Sequence, residues 1–260
     1  MKIKAIFQKT YTKYIWIAIL LLIWEMIATF SNVSPLVFPS LEQIAGALID
    51  SIVTGEILWQ MLFSLSLILV GLVIGMVLAF LMSSLALLSP VFESFVDTCV
   101  SIFHPLPGIA LLPLIILWIG TGSKAILFII VHSVLWPMIL NMKAGFKSIP
   151  AVYKKIGQNY QFSKLEIIFK IYVPASLPYF IAGLKIGWAR AWRATISAEM
   201  IFGASGGIGG IGWYIFNKRV FMDTAGIFAG LFMIIFVGIL VEDFFFNKIE
   251  ANTINKWGMS

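Results

Sequence analysis

The amino-acid sequence predicts an all-α integral membrane protein. Hydrophobic residues make up 60% of its 260 residues and charged residues 12%, whereas charged residues are about 25% of an ordinary soluble domain. The apolar residues form uninterrupted runs of about 20 residues, the length that an α-helix needs to cross a bilayer. The net charge of +6 comes largely from lysines that lie between these runs, where cations set orientation in the membrane. We therefore expect one transmembrane domain covering residues 1–260.

Six apolar stretches are long enough to be transmembrane helices. They cover residues 14–31, 60–83, 97–119, 124–142, 178–203 and 225–246. With six crossings, both termini lie on one side of the membrane, and twelve lysines between Lys2 and Lys256 fall on that side. The opposite side receives Lys124, Lys218 and Arg219. The positive-inside rule then predicts that both termini are cytoplasmic.

The segment between the first two stretches has the pattern of a short external helix. It covers residues 35–58 and opens with Pro35 and Pro39-Ser40. The apolar residues Leu41, Ile44, Leu48 and Ile52 then recur at helical spacing with acidic residues between them. Such an amphipathic pattern is typical of a helix that lies on the membrane surface.

The third stretch contains His104 and three prolines, Pro105, Pro107 and Pro113. Each proline removes a backbone donor and bends or opens a helix. In lipid, such breaks occur where neighbouring protein or a water-filled cavity satisfies the freed carbonyls. Pro105 and Pro107 are therefore candidates for the wall of a translocation path, and a simple packing kink is the alternative.

The fifth stretch carries four charges, Lys185, Arg190, Arg193 and Glu199, within an apolar helix. A charge at the centre of a bilayer costs about 2.5–3.5 kcal/mol, so these side chains are not expected to face lipid. Arg190 and Arg193 share a helix face and could bind an oxyanion through forked hydrogen bonds. We expect the two arginines and Glu199 to line the interior of the protein. An internal Arg–Glu structural pair is the alternative.

The basic loop 143–177 joins the fourth and fifth stretches. Its pattern predicts short helices over residues 151–160 and 165–172, with Pro174 and Pro178 marking the return to the membrane. A helix held in the cytoplasm could receive a partner protein. An amphipathic helix bound only to anionic lipid is the alternative.

The sequence offers no evident catalytic or cofactor chemistry. Gly207-x-Gly209-x-x-Gly212 formally matches a dinucleotide-binding fingerprint but lacks the preceding strand and the following acid. No Walker A sequence occurs. Cys99 is the only cysteine, and His104 and His132 have no metal-ligating neighbours at helical spacing. We expect no metal, no nucleic-acid partner and no enzyme activity in this chain.

Three sequence blocks resemble the permease subunits of ATP-binding-cassette importers for nitrate, sulfonate, taurine, bicarbonate and related small anions. They are PLPGIALLPLIILWIGTG at 105–122, VPASLP at 173–178, and GLKIGWARAW at 183–192 followed by AEM at 198–200 and Gly203-Ala204. The resemblance covers nearly the whole chain. It implies a type I importer permease with six transmembrane helices, a MetI-like core and a cytoplasmic coupling helix, located in the plasma (inner) membrane of a prokaryote.

The resemblance also indicates which residues of the loop meet the ATPase. The second block is similar to the end of the family's "EAA" coupling loop, which implies contact residues at Tyr153, Lys155, Gly157, Gln161 and Phe162. The chain departs from the pattern, because Lys155-Ile156-Gly157 stands at the Glu-Ala-Ala position and Gln161 at the usual glycine. A specialised ATPase partner would be one consequence.

The family resemblance further implies partners and a transport cycle. Two permease copies, as a homodimer in membrane lipid, would associate with two ATPase subunits that bind ATP and Mg²⁺, and an extracytoplasmic solute-binding protein would deliver the substrate. The cavity would open outward and then inward as the ATPases close and reopen. The alternatives are a stand-alone secondary transporter or channel, and an importer of a neutral vitamin precursor.

Overall fold

The computed structural model describes residues 2–203 and 209–255 of the chain, apart from the side chains of residues 2–11, 13, 254 and 255. Within these ranges all regular structure is helical and no strand occurs. Ala204, Gly207 and Lys256 of the sequence analysis lie outside the described residues. The all-α prediction is confirmed.

The helices follow one another with short connections. In chain order they are α1 (Lys2–Phe30), α2 (Leu41–Val53), α3 (Glu56–Leu88), α4 (Pro90–Phe103), a 3-10 turn (Gly108–Leu111), α5 (Leu112–Ile119), α6 (Ser123–Ser148), α7 (Ala151–Asn159), α8 (Lys164–Ile167), a π-helical segment (Ile168–Tyr172), α9 (Val173–Ala175), α10 (Leu177–Phe202), α11 (Ile211–Val220), α12 (Thr224–Ile239), a second π-helical segment (Leu240–Phe246), α13 (Asn247–Glu250) and a third π-helical segment (Ala251–Asn255).

Several of these helices are long and apolar enough to cross a membrane. In the described part of the chain, Glu56–Leu88, Ser123–Ser148 and Thr224–Thr253 qualify as continuous spans. Two pairs qualify when joined across a bend, Pro90–Phe103 with Gly108–Ile119 and Lys164–Ala175 with Leu177–Phe202, and α1 contributes a shorter apolar helix. The prediction of a multi-pass membrane protein is confirmed, whereas the count of six spans stays a prediction.

The predicted third span is a sharply bent pair of helices. α4 and the helical segment that contains α5 meet at 86°. The break lies at His104–Pro107, where two prolines each lack the N–H that would continue the helix. The backbone bend expected at these prolines is therefore present.

The helix of the fourth span, α6, continues beyond the predicted end of that span at residue 142. α6 continues to Ser148, so Lys143 and Lys147 belong to the helix and not to the loop 143–177. Lys143 is buried and its ammonium group contacts Asp97 and, at 3.5 Å, Glu93 of α4. Because acidic partners on a neighbouring helix neutralise this lysine, the helix can extend past a charge that otherwise suggests a loop.

The described chain forms two compact units, and the first comprises Met1–Trp59 and Tyr214–Ile234. Trp24 of α1 stacks on Phe38 with ring centroids 4.1 Å apart and donates a hydrogen bond to the carbonyl of Pro39. α2 lies within the predicted segment 35–58 and begins with a complete capping box at Ser40. These contacts hold the connection between α1 and the start of α2.

The second unit comprises Gln60–Trp213 and Ile235–Ser260, and α6 is its central helix. In the most apolar window of α6, 61% of the residues are buried, against 28% for α3. Gly71 and Gly75 of α3 lie so close to Ile130 and Val134 of α6 that an added Cβ would meet these side chains at 2.3 and 2.8 Å. Small residues four apart allow such close helix packing in lipid.

Candidate functional site

The bend between α4 and α5 opens onto a cavity of about 480 Å³ in the second unit. Three elements supply its wall: the segment 104–109, one face of α6 and one face of α10. The lining residues are His104, Pro105, Leu106, Pro107, Gly108, Ile109, His132, Ser133, Trp136, Arg190, Arg193, Ala194 and Ser197. Four of the five path candidates, the two prolines and the two arginines, therefore lie in one cavity, and their role in translocation stays a prediction.

The two arginines project from one face of α10 into this cavity. Arg190 is half-buried, with Nη2 3.4 Å from Nε2 of His104, while Arg193 is exposed and donates from Nε to the carbonyl of Ala189 at 3.0 Å. Because a guanidinium group can only donate, His104 accepts this bond through an unprotonated Nε2. Both arginines line the cavity, and each guanidinium group has further N–H donors that can bind an anion.

Glu199, the fifth path candidate, does not line this cavity. It lies nine residues after Arg190 on α10 and projects from about the opposite face of the helix. Its carboxylate, 1% exposed, accepts hydrogen bonds from Ser64 Oγ at 2.7 Å and from the Gly212 backbone N–H at 2.9 Å. Glu199 thus links α10 to α3 and to the start of α11, and its recorded partners are not the arginines of the alternative Arg–Glu pair.

Sequence reasoning missed three polar residues of α6 that line the same cavity: His132, Ser133 and Trp136. His132 was considered only as a metal ligand. The signal was its helical spacing, because residues 132, 133 and 136 lie on one face in the apolar central part of the helix. A polar face inside a membrane helix points to a cavity or a partner.

In the basic loop, α7 packs on the segment that follows α8 through Gly157. A Cβ added to Gly157 would meet Ile171 at 2.6 Å and Ile167 at 3.2 Å. Phe162 packs on the same small core, and the ammonium group of Lys170 lies 4.6 Å from the centre of its ring. Gly157 and Phe162 therefore hold the two halves of the loop together.

The other three coupling candidates are at the surface or at the turn. Tyr153 and Lys155 are exposed on α7. Gln161 has φ of 55°, in the left-handed region that favours glycine. The family usually has glycine at this position, and the backbone conformation of the turn is one that glycine adopts easily. This chain has the same conformation with glutamine. The helices predicted over 151–160 and 165–172 are present with boundaries shifted by one or a few residues.

The glycine cluster after α10 has a packing role in its described part. A Cβ on Gly210 would meet the Glu199 carboxylate at 2.0 Å, and one on Gly209 would meet Trp213 at 2.1 Å. The cluster follows a helix rather than a strand, so the structural context of a dinucleotide site is missing. Residues 2–203 and 209–255 also contain no group of three His, Cys, Asp or Glu side chains that could hold a metal.

Comparison with known proteins places these features in a family. The family described as "Binding-protein-dependent transport system inner membrane component" matches residues 71–254. The chain is 27% identical over 233 residues to the taurine transport system permease protein TauC of Escherichia coli, covering 87% of this chain and 82% of TauC. It is 26% identical over 240 residues to the putative aliphatic sulfonates transport permease protein SsuC of Bacillus subtilis, covering 92% and 85%.

A nitrate permease is similarly related. The nitrate import permease protein NrtB of a Synechocystis species is 28% identical over 238 residues, covering 88% of this chain and 84% of NrtB. The family match includes every cavity and coupling residue described above and more than half of the chain. A transport permease is not itself an enzyme, which agrees with the sequence reasoning. The chain therefore belongs to the inner membrane permease components of binding-protein-dependent ATP-binding-cassette import systems.

Proposed function

We propose that this permease carries a small anion across the inner membrane through the cavity lined by Arg190 and Arg193. The relatives are named for taurine, aliphatic sulfonates and nitrate, all of which include anionic groups. An extracytoplasmic solute-binding protein delivers the anion, and two copies of the chain, with both termini in the cytoplasm, form the transport unit in the lipid bilayer. ATP and Mg²⁺ are bound by a separate ATPase.

The observation that carries the proposal is the composition of the cavity wall. Two guanidinium groups open into a space of about 480 Å³, and none of its lining residues is acidic. In a low-dielectric environment, such uncompensated cations attract an anion strongly. Paired N–H groups also match the geometry of sulfonate, nitrate or carboxylate oxygens.

Replacement of the arginines tests the proposed anion path. In membrane vesicles holding the assembled importer and its binding protein, we expect Arg190→Ala and Arg193→Ala to abolish ATP-driven uptake while the ATPase still co-purifies. Lys185→Ala is the matched control, because this cation of the same helix lies outside the cavity, 3.6 Å from Glu250. Normal uptake of the substrate by both arginine variants would contradict the anion path and favour a neutral substrate.

We assign the ATPase contact to the exposed face of α7. Val152, Tyr153 and Ile156 lie on one side of this helix and are 44–55% exposed. Apolar side chains held out on a short helix, with Gly157 on one flank packed against Ile167 and Ile171, form a surface suited to a protein groove. Lys155 on the other flank adds charge that can pair with acidic residues.

The contact on α7 is tested by acidic substitution on each face. We expect Tyr153→Asp and Ile156→Asp to release the ATPase during purification of the complex. Gln158→Asp, an exposed position on the opposite face, is expected to leave it bound. Gly157 is a poorer test site, because any side chain there would clash with Ile171 and disturb the loop itself. Full retention in both face variants would place the ATPase elsewhere.

A further inference from the structure

Two buried side chains of the cavity have polar atoms without partners. His132 is 8% exposed and Trp136 is 9% exposed. Within the described part of the chain, three of their atoms have no hydrogen-bond partner: Nδ1 and Nε2 of His132 and Nε1 of Trp136. The remaining unpaired buried atoms belong to Gln60, Ser83 and Ser84, which do not line this cavity.

The position of these atoms relates them to the arginines. His132 and Trp136 are one turn apart on α6 and line the same cavity as Arg190 and Arg193. The indole ring of Trp136 also stacks on Phe103, with ring centroids 5.2 Å apart and planes inclined by 18°, so its orientation is fixed. The cavity therefore has guanidinium donors on α10 and, on α6, unused imidazole and indole groups on a rigid aromatic support.

An unpaired buried polar group is costly, and native structures rarely keep one without a reason. Glu199 in the same unit shows the usual solution, because Ser64 and the Gly212 N–H satisfy its carboxylate. The polar atoms of His132 and Trp136 have no such protein partner, and both residues line a cavity that a solute can enter. A polar group that is unpaired inside a membrane protein and borders a cavity is suited to a substrate.

We infer that His132 and Trp136 form, with Arg190, a binding subsite for a small organic oxyanion, a sulfonate or carboxylate on a short carbon skeleton. This inference rests on the proposed anion transport and specifies its substrate class. Arg190 and the Trp136 N–H bind the oxyanion, and neutral His132 offers one N–H donor and one acceptor nitrogen. The aromatic surface of Trp136 contacts the carbon skeleton.

The apolar part of the cavity wall favours an organic anion over a bare inorganic one. A short carbon skeleton can bury apolar surface against Trp136 and its apolar neighbours Leu106 and Ile109 in the wall, and burial of apolar surface stabilises binding. Nitrate has no such surface, so the subsite is expected to discriminate against it.

The experiment measures equilibrium binding to the purified permease–ATPase complex without the solute-binding protein. The probes are ethanesulfonate, butanesulfonate, butyrate and nitrate. We expect at least one organic probe to bind about tenfold or more tightly than nitrate, and its affinity to fall about tenfold in His132→Leu and in Trp136→Phe, since hydrogen bonds to charged groups have this magnitude. Trp188→Phe, which removes an indole that stacks on Trp192 outside the cavity, is the control.

Thermal unfolding separates a ligand site from a structural role. Removing an unpaired buried polar group should leave the unliganded His132→Leu complex as stable as wild type or more stable, while the rise in melting temperature with the organic probe is lost. A less stable unliganded variant, nitrate binding as tight as the organic probes, or unchanged binding in both variants would overturn the subsite. Uptake by the whole importer is measured separately, so a functioning anion importer that fails these binding tests refutes the subsite and not the proposed function.

Discussion

At the scale of single residues, Glu199 shows how a charge is kept inside a membrane helix. Its carboxylate accepts hydrogen bonds from Ser64 and from the backbone of Gly212, and Ser64 in turn accepts one from the Ile211 N–H at 2.9 Å. Gly210 leaves the space that the carboxylate needs. The carboxylate therefore fixes the N-terminus of α11, where negative charge is also favoured by the helix dipole.

Removal of this carboxylate should destabilise the protein. We expect Glu199→Ala to lower the free energy of unfolding by about 2–4 kcal/mol, because it leaves the Gly212 N–H and the Ser64 hydroxyl without their acceptor. Glu199→Gln should lower the free energy of unfolding by less, since the amide carbonyl oxygen can still accept a hydrogen bond from Ser64 or Gly212. Thermal unfolding of the solubilised protein measures both. Glu242→Ala, an exposed acid, is the control, and equal losses in the three variants would contradict the assigned contacts.

The turn residue Gln161 has a backbone conformation that side chains disfavour. Left-handed backbone costs about 1–2 kcal/mol in residues with a Cβ, and branching at Cβ increases this cost. We expect Gln161→Gly to keep the loop intact and Gln161→Val to increase hydrogen exchange over residues 151–175. Gln158→Val, in the regular helix before the turn, controls for the branched side chain. Equal exchange in both valine variants would show that the turn conformation does not matter.

At the scale of elements, the second half of the basic loop depends on its capping box. The hydroxyl of Ser163 accepts from the Glu166 N–H, and the Glu166 carboxylate accepts from the Ser163 N–H at 3.0 Å and from Lys170 at 2.7 Å. This reciprocal arrangement satisfies N–H groups that the first turn of a helix otherwise leaves unpaired. α8, which packs against α7, therefore begins at a defined residue.

Loss of the cap should loosen this element without unfolding the permease. We expect Ser163→Ala to cost about 1 kcal/mol locally and to raise hydrogen exchange about fivefold in residues 164–175, with weaker retention of the ATPase. Ser148→Ala is the matched control, because its hydroxyl only donates to the carbonyl of Gly145. Unchanged exchange in the Ser163 variant would mean that the loop is held by Gly157 packing alone.

The elements also show how far sequence patterns reach. The sequence predicted the proline bend, the helix after Ser40 and the two short helices of the loop, because proline, caps and apolar spacing act within a few residues. The sequence did not predict the end of α6, since Lys143 is accommodated by Asp97 and Glu93, which lie some fifty residues earlier. The partners of a charge depend on packing between helices and not on the local sequence.

At the scale of the whole molecule, the lysine distribution predicts the orientation in the membrane, which can be measured. With Cys99 replaced by serine, we expect a cysteine at Thr54, in the predicted external segment, to react with an impermeant maleimide in intact cells. A cysteine at Ser260 should react only after the membrane is permeabilised. Labelling of both positions, or of Ser260 alone, in intact cells would contradict the cytoplasmic placement of the termini.

The sequence by itself determined the class of this protein, because apolar runs, interrupting prolines and lysine-rich segments reflect transfer into lipid, which each segment experiences independently. It also located Arg190 and Arg193, whose charge within an apolar helix is conspicuous. Only the tertiary structure decided that Glu199 contacts Ser64 and not the arginines. It also decided that His132 and Trp136 line the same cavity as Arg190 and Arg193. Hydrogen-bond partners of buried groups are chosen by the packing of α3, α6 and α10, and such packing brings together residues that are distant in the chain.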